Sequence, residues 1–586
     1  MRPAPRWLLV SFVVALVASA AVYVPWLDDE FIWDDSVQIA ENPAVTHGVP
    51  LARWFTDRET TSIRPDYNTR IWRPLRGVAM RAVWRLSDAA PSHRTTVFHG
   101  VNLLLYLVGA VLVLVLLRRV VTDDLAALLG AVLWLLMPVH AEDVLYASAL
   151  GDLLSFDLQL AGMLLALRFI DQPRAGRAAG ALACFAVGLL VKEMAITTLV
   201  LLLAYVVSQR RELLWRRPTL VLLGAHGVVA FAYLAVRTTL LGRVGQDDVH
   251  AGDTLRAVLD MPWLLSQYVK LAFSPLGHAP DYGMHGPARL PSALAALVGV
   301  PLLVAASLRA RGGLRWGCWF FVIALLPVVH LVPLWTLLAD RFLLLPSVGL
   351  ALAVAAALSW LPGRARRMEV GIAVVVAVVY LGATSLEARR FRSDESLFAF
   401  GVAEVPDSGL SQHNLGLDLL KRGEFARALE HLLRAEELGR RDPRLYVHLA
   451  GAFEGAGKYA DAEKATNIAL ALDPDMGSVY LQRASLEQRR GDIDAVERDV
   501  ELARARHADE RQLRRTRALL AVSRGRVREA YDLYVGLARE VAEDPILWQH
   551  AAECATHEHL EAEARAAIAR CLAIAPGRAQ CVALTR

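Results

Sequence analysis

The apolar residues divide the chain into two parts near residue 390. Before that point, long apolar runs alternate with short arginine-rich stretches; after it, the sequence is polar, charged and rich in alanine and leucine. A helix needs about 20 predominantly apolar residues to cross a bilayer. The pattern therefore predicts an all-α protein, with a polytopic transmembrane helix bundle in residues 1–390 and a second helical domain in residues 391–586.

We interpret eleven apolar runs, give or take one, as membrane-spanning helices. They lie at residues 7–26, 97–117, 124–140, 150–168, 178–192, 194–208, 218–240, 291–308, 316–333, 342–360 and 369–386. Segment 261–275 is apolar but contains Pro262 and Pro275, so we expect it to be broken and interfacial or re-entrant. As an alternative, Ala18-Ser19-Ala20 resembles a signal cleavage site, although the apolar run continues past it to Trp26.

Arginine placement predicts the orientation of these helices. Arginines cluster beside alternate span ends, at residues 2–6, 118–119, 168–177, 210–217, 309–315 and 364–367. Basic loops stay on the cytoplasmic side of a membrane. We therefore expect an inner-membrane protein with a cytoplasmic N-terminus. Eleven spans would place residues 391–586 on the extracytoplasmic, periplasmic side.

The second domain repeats itself every 34 residues. Glycine recurs at that interval, at Gly423, Gly457, Gly491 and Gly525, and a small residue precedes each by seven, at Gly416, Ala450, Ala484 and Ala518. This period is typical of tetratricopeptide repeats (TPRs), helical pairs that stack into a solenoid with a concave binding face. We expect about five repeats, the fifth carrying His559 at the glycine position. We also expect a larger residue at Gly457 to crowd a tight helix contact.

Charge and cysteine content narrow the functional classes. The net charge is only +4, so no nucleic-acid partner is predicted. Cys554, Cys571 and Cys581 have no metal-binding spacing, but they allow one disulfide if that end lies in an oxidising compartment. The sequence contains no Walker loop, HExxH or Rossmann glycine motif.

Polar clusters with catalytic potential all map to the predicted outer face. The long first outer loop, residues 27–96, contains Asp34, Asp35 and Arg73. The other clusters contain His140 and Glu142, Asp152, Lys192 and Glu193, and Asp340 and Arg341. Each also has a plainer interpretation, as a solvated acidic loop, an interfacial group or an ion pair at a turn. Together they suit group transfer from an anionic lipid, because a carboxylate can accept a hydroxyl proton and cations can hold a phosphate.

The order of these segments resembles that of the transmembrane and tetratricopeptide-repeat O-mannosyltransferases, membrane glycosyltransferases of the GT-C fold. The resemblance covers nearly the whole chain. The segments that carry it are Asp34-Asp35 running to Asn42 and Val45, Trp72-Arg73-Pro74-Leu75, His99 with Asn102, Pro138 to Glu142, Gly151-Asp152, Lys192-Glu193 and Asp340 to Gly349. The chain departs from the family where Asp340 replaces an expected glutamate and in having fewer repeats than the animal members. The second departure leaves the acceptor open.

The resemblance implies that the donor is a polyprenyl-phosphate-linked hexose, with mannose favoured. It implies that the acceptor is a protein hydroxyl, and that the TPR groove presents the acceptor protein. In this scheme Asp34 or Asp35 is the catalytic base. The other implied donor- or acceptor-binding residues are Arg73, His140, Glu142, Asp152, Lys192, Glu193 and Arg341. No further cofactor is implied, and a divalent metal is left open.

Two alternatives remain at this stage. A non-enzymatic membrane scaffold would use the TPRs to recruit partners, although it would need neither eleven spans nor the polar clusters. An enzyme of the same type could instead glycosylate a lipid or a glycan.

Overall fold

The computed structural model describes residues 3–63, 71–242, 254–283, 305, 307–329, 336, 338–362, 366–540, 544–576 and 578–585. All regular structure in these residues is helical, as the apolar pattern predicts. The chain forms two compact units, Met1–Ser411 and Gln412–Arg586.

Long apolar helices dominate the first unit. Those long and apolar enough to cross a membrane are Arg6–Trp26, Pro91–Val120, Ala147–Asp171, Arg217–Leu241 and Arg366–Arg392. Helices Asp124–Leu136 and Pro138–Leu145 qualify together as one further span, bent by 49°. Shorter apolar helices are Ala175–Val191, Glu193–Gln209, Gly312–Val328 and Pro346–Leu358. Shorter connecting helices include Pro43–Thr46, Leu51–Thr56 and Pro74–Leu86.

The structure therefore shows five or six crossing helices by length and composition among the described residues. Each predicted run that falls on those residues is helical. The count of eleven stays a prediction, because it also needs the four shorter helices and run 291–308, most of which lies outside the described residues.

The expected break at Pro262 is wrong. Thr254–Phe273 is one helix of 20 residues with Pro262 inside it. Leu264, Tyr268 and Leu271 form a buried stripe along this helix. Burying that stripe offsets the backbone hydrogen bond that a proline forfeits inside a helix.

Small residues allow two short apolar helices to pack backbone to backbone. A Cβ atom at Gly317 would lie 2.6 Å from the amide nitrogen of Ala353, and one at Gly349 would lie 2.5 Å from that of Phe321. Such close approach is how helices associate in a bilayer, where side-chain burial from water contributes little. This contact fixes helix Pro346–Leu358, directly after the turn that carries Asp340 and Arg341.

The first unit extends beyond the boundary predicted near residue 390. Helix Asp394–Glu404, which we call the linker helix, packs within this unit. Its Phe398 ring meets the Trp33 ring edge to face at 5.9 Å. The compact unit therefore includes the linker helix and ends at Ser411.

The second unit is a stack of helical pairs. The pairs are Gly409–Lys421 with Phe425–Glu437, Pro443–Gly455 with Tyr459–Leu472, Gly477–Arg490 with Ile493–Ala505, Glu510–Ser523 with Val527–Glu540, and Pro545–His557 with Glu561–Ile574. These five pairs confirm the TPR solenoid, and the first helix begins in the last residues of the preceding unit. Helix Ala579–Ala583 follows them. A disulfide joins Cys571 to Cys581 and leaves Cys554 as a free, buried thiol.

The repeating glycines adopt a left-handed backbone conformation and do not lie at tight contacts between helices. Gly457 has φ +75°, and a Cβ atom there would meet nothing within 4 Å, so the expected crowding is wrong. His559 takes the same left-handed conformation, with φ 58°, one period after Gly525. A tight helix contact lies instead at Gly416, where a Cβ atom would lie 2.7 Å from the Leu432 side chain.

We expect Gly457→Val to destabilise the TPR solenoid by about 1–2 kcal/mol, the cost of a left-handed conformation for a residue with a Cβ atom. Gly457→Asn should lose less, because asparagine tolerates this conformation. Urea unfolding of fragment 409–586, followed by circular dichroism, measures both. Equal losses for the two variants would show that backbone conformation is not the cause.

Candidate active site

The loop that carries Asp34 and Asp35 turns sharply at Trp33. Trp33 has φ 52°, a left-handed conformation that is rare for a bulky residue. Its backbone N–H donates to Asp394 Oδ1 at 2.6 Å, and its ring stacks on Tyr146 with centroids 5.9 Å apart. These contacts hold the strained turn, and the two aspartates that follow it enter different environments.

Asp35 is buried and fastens the loop to the rest of the unit. Its carboxylate accepts backbone N–H bonds from Ile32 at 3.3 Å, Ala147 at 3.2 Å and Ser148 at 2.7 Å. Burial raises the pKa of Asp35 to about 7, although the hydrogen bonds from Ser148, Ile32 and Ala147 act in the opposite direction. The contacts of Asp35 are therefore structural.

Asp34 is half-buried, and its carboxylate makes no hydrogen bond or ion pair with any residue that the structure describes. Its charge nevertheless interacts with those of Arg76 and Arg341. Of the two aspartates, Asp34 is the one whose oxygens are available to a substrate.

Three of the predicted cations lie near one another, and each is paired with a predicted carboxylate. Arg73 donates to both oxygens of Glu193, at 2.8 and 2.6 Å. Lys192 pairs with Asp152, and Arg341 pairs with Glu142, which also accepts the backbone N–H of Arg341 at 3.1 Å.

The charges of these cations also act on one another. Arg341 interacts with Arg73, and both interact with Lys192. Like charges repel, and the three paired carboxylates offset that repulsion between the cations.

A small cleft of about 40 Å³ lies beside Lys192 and Arg341. Its polar lining residues are Asp152, Ser155, Gln159, Lys192 and Arg341. The remaining lining residues are apolar: Phe156, Met194, Ala324, Val328, Phe342, Leu344, Leu345 and Pro346. The cleft therefore combines charged and polar lining residues with a larger number of apolar ones.

Aromatic rings surround the Arg341 guanidinium. Its central carbon lies 5.7 Å from the Trp33 ring centroid, 6.0 Å from that of Tyr146 and 5.3 Å from that of Phe342. Lys192 Nζ lies 5.9 Å from the Phe342 centroid. Through these cation–π contacts, Trp33 of the Asp34 loop meets Arg341, which lines the cleft together with Lys192.

His140 lies away from this constellation. It is fully buried, its Nδ1 is 3.0 Å from the Tyr106 hydroxyl, and its Nε2 is 3.1 Å from Ser347 Oγ. Both ring nitrogens therefore have protein partners. The structure brings Asp34, Arg73, Glu142, Asp152, Lys192, Glu193 and Arg341 together, and it places His140 in the hydrogen-bonded interior.

Sequence reasoning missed Arg76, whose charge interacts with those of Asp34, Arg73 and Glu193. The available signal was its position three residues after Arg73, at the start of helix Pro74–Leu86, where residues three apart share a face.

A buried network around Asp340 was also missed. Asp340 accepts from Tyr282 and from Arg390, the latter at 2.7 Å, and lies 3.4 Å from His278 Nδ1. Burial alone would raise the pKa of Asp340, but His278 and Arg390 outweigh it and lower that pKa. No spacing in the sequence connects these four residues.

Within the described part of the chain, no three His, Cys, Asp or Glu side chains are placed to share a metal ion. The metal alternative stays a prediction.

The chain is similar to three curated protein O-mannosyl-transferases. TMTC4 of Homo sapiens is 26% identical over 496 residues, covering 73% of this chain and 66% of its own length. Tmtc3 of Drosophila melanogaster is 23% identical over 559 residues, covering 80% of this chain and 59% of its own length. Tmtc2 of Drosophila melanogaster is 32% identical over 186 residues, covering 30% of this chain and 19% of its own length. These relatives confirm the resemblance predicted from the sequence, and the chain spans less than two thirds of each.

Among solved structures, the chain is similar to TPR proteins. YrrB, a TPR protein with an unusual peptide-binding site, is 14% identical and covers 32% of this chain and 97% of its own, with a TM-score of 0.22. A thermophilic TPR protein of Thermus thermophilus is 22% identical and covers 32% of this chain and 95% of its own, with a TM-score of 0.24. These TM-scores are low, so the repeat assignment depends on the helical pairs described above. No family model matches the chain.

The different contacts of the two aspartates predict different effects on stability. Asp35→Asn should destabilise the full-length protein by about 1–3 kcal/mol, because one carboxylate oxygen that accepts a backbone N–H becomes an NH₂ donor. Asp34→Asn should stay within about 0.5 kcal/mol of wild type. Thermal unfolding in detergent compares the variants; an equal loss for both would contradict the structural role of Asp35.

Proposed function

We propose that the protein is a GT-C-type membrane glycosyltransferase that transfers a hexose, with mannose favoured, from a polyprenyl-phosphate donor to a protein hydroxyl. One observation carries the proposal: the available Asp34 carboxylate lies within charge range of Arg341, a cation that lines a largely apolar cleft. The names of the curated relatives support the sugar and the acceptor class.

In the proposed reaction, Asp34 is the general base. The acceptor hydroxyl oxygen bonds to the anomeric carbon of the sugar and transfers its proton to the Asp34 carboxylate. The bond between the anomeric carbon and the phosphate oxygen breaks, and the electron pair leaves with the polyprenyl phosphate. Lys192 and Arg341 stabilise the negative charge that develops on the leaving phosphate.

The cleft supports a lipid-linked donor. Its lining residues Lys192 and Arg341 suit the phosphate, and its apolar lining residues, among them Val328, Leu344 and Leu345, suit an isoprenoid chain. Burial excludes water, which strengthens the attraction between these cations and a phosphate. Arg73 adds positive charge beside them.

The predicted carboxylates have a supporting role in this proposal. Glu142, Asp152 and Glu193 each hold one cation in a fixed position. We assign His140 to the same supporting layer, because its contact with Ser347 fixes the start of helix Pro346–Leu358, which follows the Arg341 turn.

We place the reaction on the extracytoplasmic face of the membrane. The one-sided arginine distribution supports this orientation. The Cys571–Cys581 disulfide supports an oxidising compartment for the TPR solenoid. The stacked repeats would present the protein acceptor.

Asp34→Asn should reduce the turnover number about 10²–10⁴-fold, because asparagine keeps the size of the side chain but cannot take the proton. The assay is transfer of radiolabelled mannose from a polyprenyl phosphate to membrane protein acceptors. Glu30→Gln, which changes an exposed carboxylate in the same loop, is the matched control. Full turnover in the Asp34 variant would exclude it as the base. A wild type that transfers no sugar from any polyprenyl donor would instead favour the scaffold alternative.

The orientation has its own test. A periplasmic reporter fused after Arg586 should be active, and a cytoplasmic reporter fused after Arg217 should also be active. The opposite pair of results would place the Asp34 loop on the wrong side for this reaction.

A further inference from the structure

Arg76 differs from the other cations of the site in having no hydrogen-bond or ion-pair partner among the described residues. It is 6% exposed and makes no hydrogen bond or ion pair with any residue in the described part of the chain. Arg73, Lys192 and Arg341 each have a carboxylate in contact. Arg76 is therefore a buried cation whose five N–H donors are uncommitted.

The fold makes room for this side chain. A Cβ atom at Gly151 would lie 2.7 Å from Arg76 Cδ and 2.9 Å from its Cγ. Only glycine at position 151 allows the arginine stem to cross helix Leu150–Asp171 this closely. The close packing at Gly151 thus fixes the stem of Arg76 beside Asp34 and Arg73.

Arg76 also remains charged in this environment. Burial, followed by the neighbouring Arg73, lowers the pKa of Arg76 to about 10, which is still well above neutral pH. A buried charge that makes no direct hydrogen bond or ion pair is costly to the fold, even with the Asp34 and Glu193 charges in its surroundings. This cost is explained if an anionic ligand completes the site.

We propose that Arg76 binds the phosphate group of a lipid-linked substrate, as a donor-binding residue of the proposed glycosyltransferase. A phosphate suits this position because Arg73 places a second positive charge near Arg76 and because the guanidinium fork matches two phosphate oxygens. This inference rests on the proposed function for the identity of the substrate, but not for the presence of an anion site.

The experiment measures binding to the purified full-length protein in a neutral detergent. Farnesyl phosphate is the lipid phosphate probe, inorganic phosphate tests the head group alone, and farnesol tests the chain without charge. Arg76→Met should weaken farnesyl phosphate binding about tenfold or more, since hydrogen bonds between charged groups are strong. Farnesol binding should not change. Arg85→Met, at an exposed arginine on the same helix, should match wild type.

Stability separates this role from a structural one. Removing an unpaired buried charge should leave the unfolding temperature of the ligand-free protein unchanged or raise it, whereas loss of a structural contact would lower it. Arg76→Lys keeps the charge without the fork and should bind farnesyl phosphate with intermediate affinity. Gly151→Ala keeps the arginine but displaces its stem, and should also weaken binding.

Several outcomes would overturn the proposal. It fails if wild type does not bind farnesyl phosphate, if Arg76→Met binds it as wild type does, or if Arg76→Met lowers the unfolding temperature while affinity is kept. Unchanged binding with reduced sugar transfer would assign Arg76 to orienting Asp34 instead. Tighter binding of inorganic phosphate than of farnesyl phosphate would identify a free anion as the ligand. Arg76-dependent binding of farnesyl phosphate without any sugar transfer would refute the proposed function and leave the phosphate site standing.

Discussion

The first unit depends on pairing charges that its apolar helices bury. The Arg341–Glu142 pair joins residues 199 apart in the sequence, and the Arg73–Glu193 pair joins residues 120 apart. In a site shielded from water, breaking either pair would leave an isolated charge at a cost of about 3–5 kcal/mol. These pairs therefore hold together the segments that connect the helices. One pair holds the turn before Pro346 to helix Ala141–Leu145, and the other holds the start of helix Pro74–Leu86 to the start of helix Glu193–Gln209.

The strained turn at Trp33 connects this charged site to the part of the unit that leads towards the repeats. Asp394 begins the linker helix and accepts the Trp33 N–H, and Phe398 on the same helix meets the Trp33 ring. A left-handed tryptophan persists only where its surroundings determine it from several sides. Asp35 supplies the other restraint through its three backbone hydrogen bonds. The position of Asp34 is thus set through its two chain neighbours, with Trp33 held by the linker helix and Asp35 held by residues 147–148.

Sequence patterns predicted the helices, the repeats and most of the charged site because each has a local signature. Apolar length predicted the spans, the 34-residue period predicted the helical pairs, and polar residues at span ends predicted Glu142, Lys192 and Arg341. The failures concern properties that only tertiary contacts determine. The spacing of Gly457 could not distinguish a tight contact from a left-handed turn, and the burial of Leu264 and its neighbours on helix Thr254–Phe273 overrode the helix-breaking tendency of Pro262. Likewise, the sequence put His140 beside Glu142, but a short helix sends their side chains in different directions.

The pairing of cations with carboxylates need not compete with phosphate binding. Arg341 uses one terminal nitrogen and its backbone N–H on Glu142, so other guanidinium donors are left for a ligand. A carboxylate partner fixes the guanidinium in advance, and the reacting phosphate then meets a site that needs little reorganisation. Arg76 is held differently, because its side chain packs against Gly151 and makes no ion pair with a carboxylate of the described residues. The four cations of the site are matched in number by four carboxylates, because the unpaired Asp34 faces the unpaired Arg76. What Arg76 adds is a set of guanidinium donors that no carboxylate occupies, and a bound phosphate would compensate its buried charge.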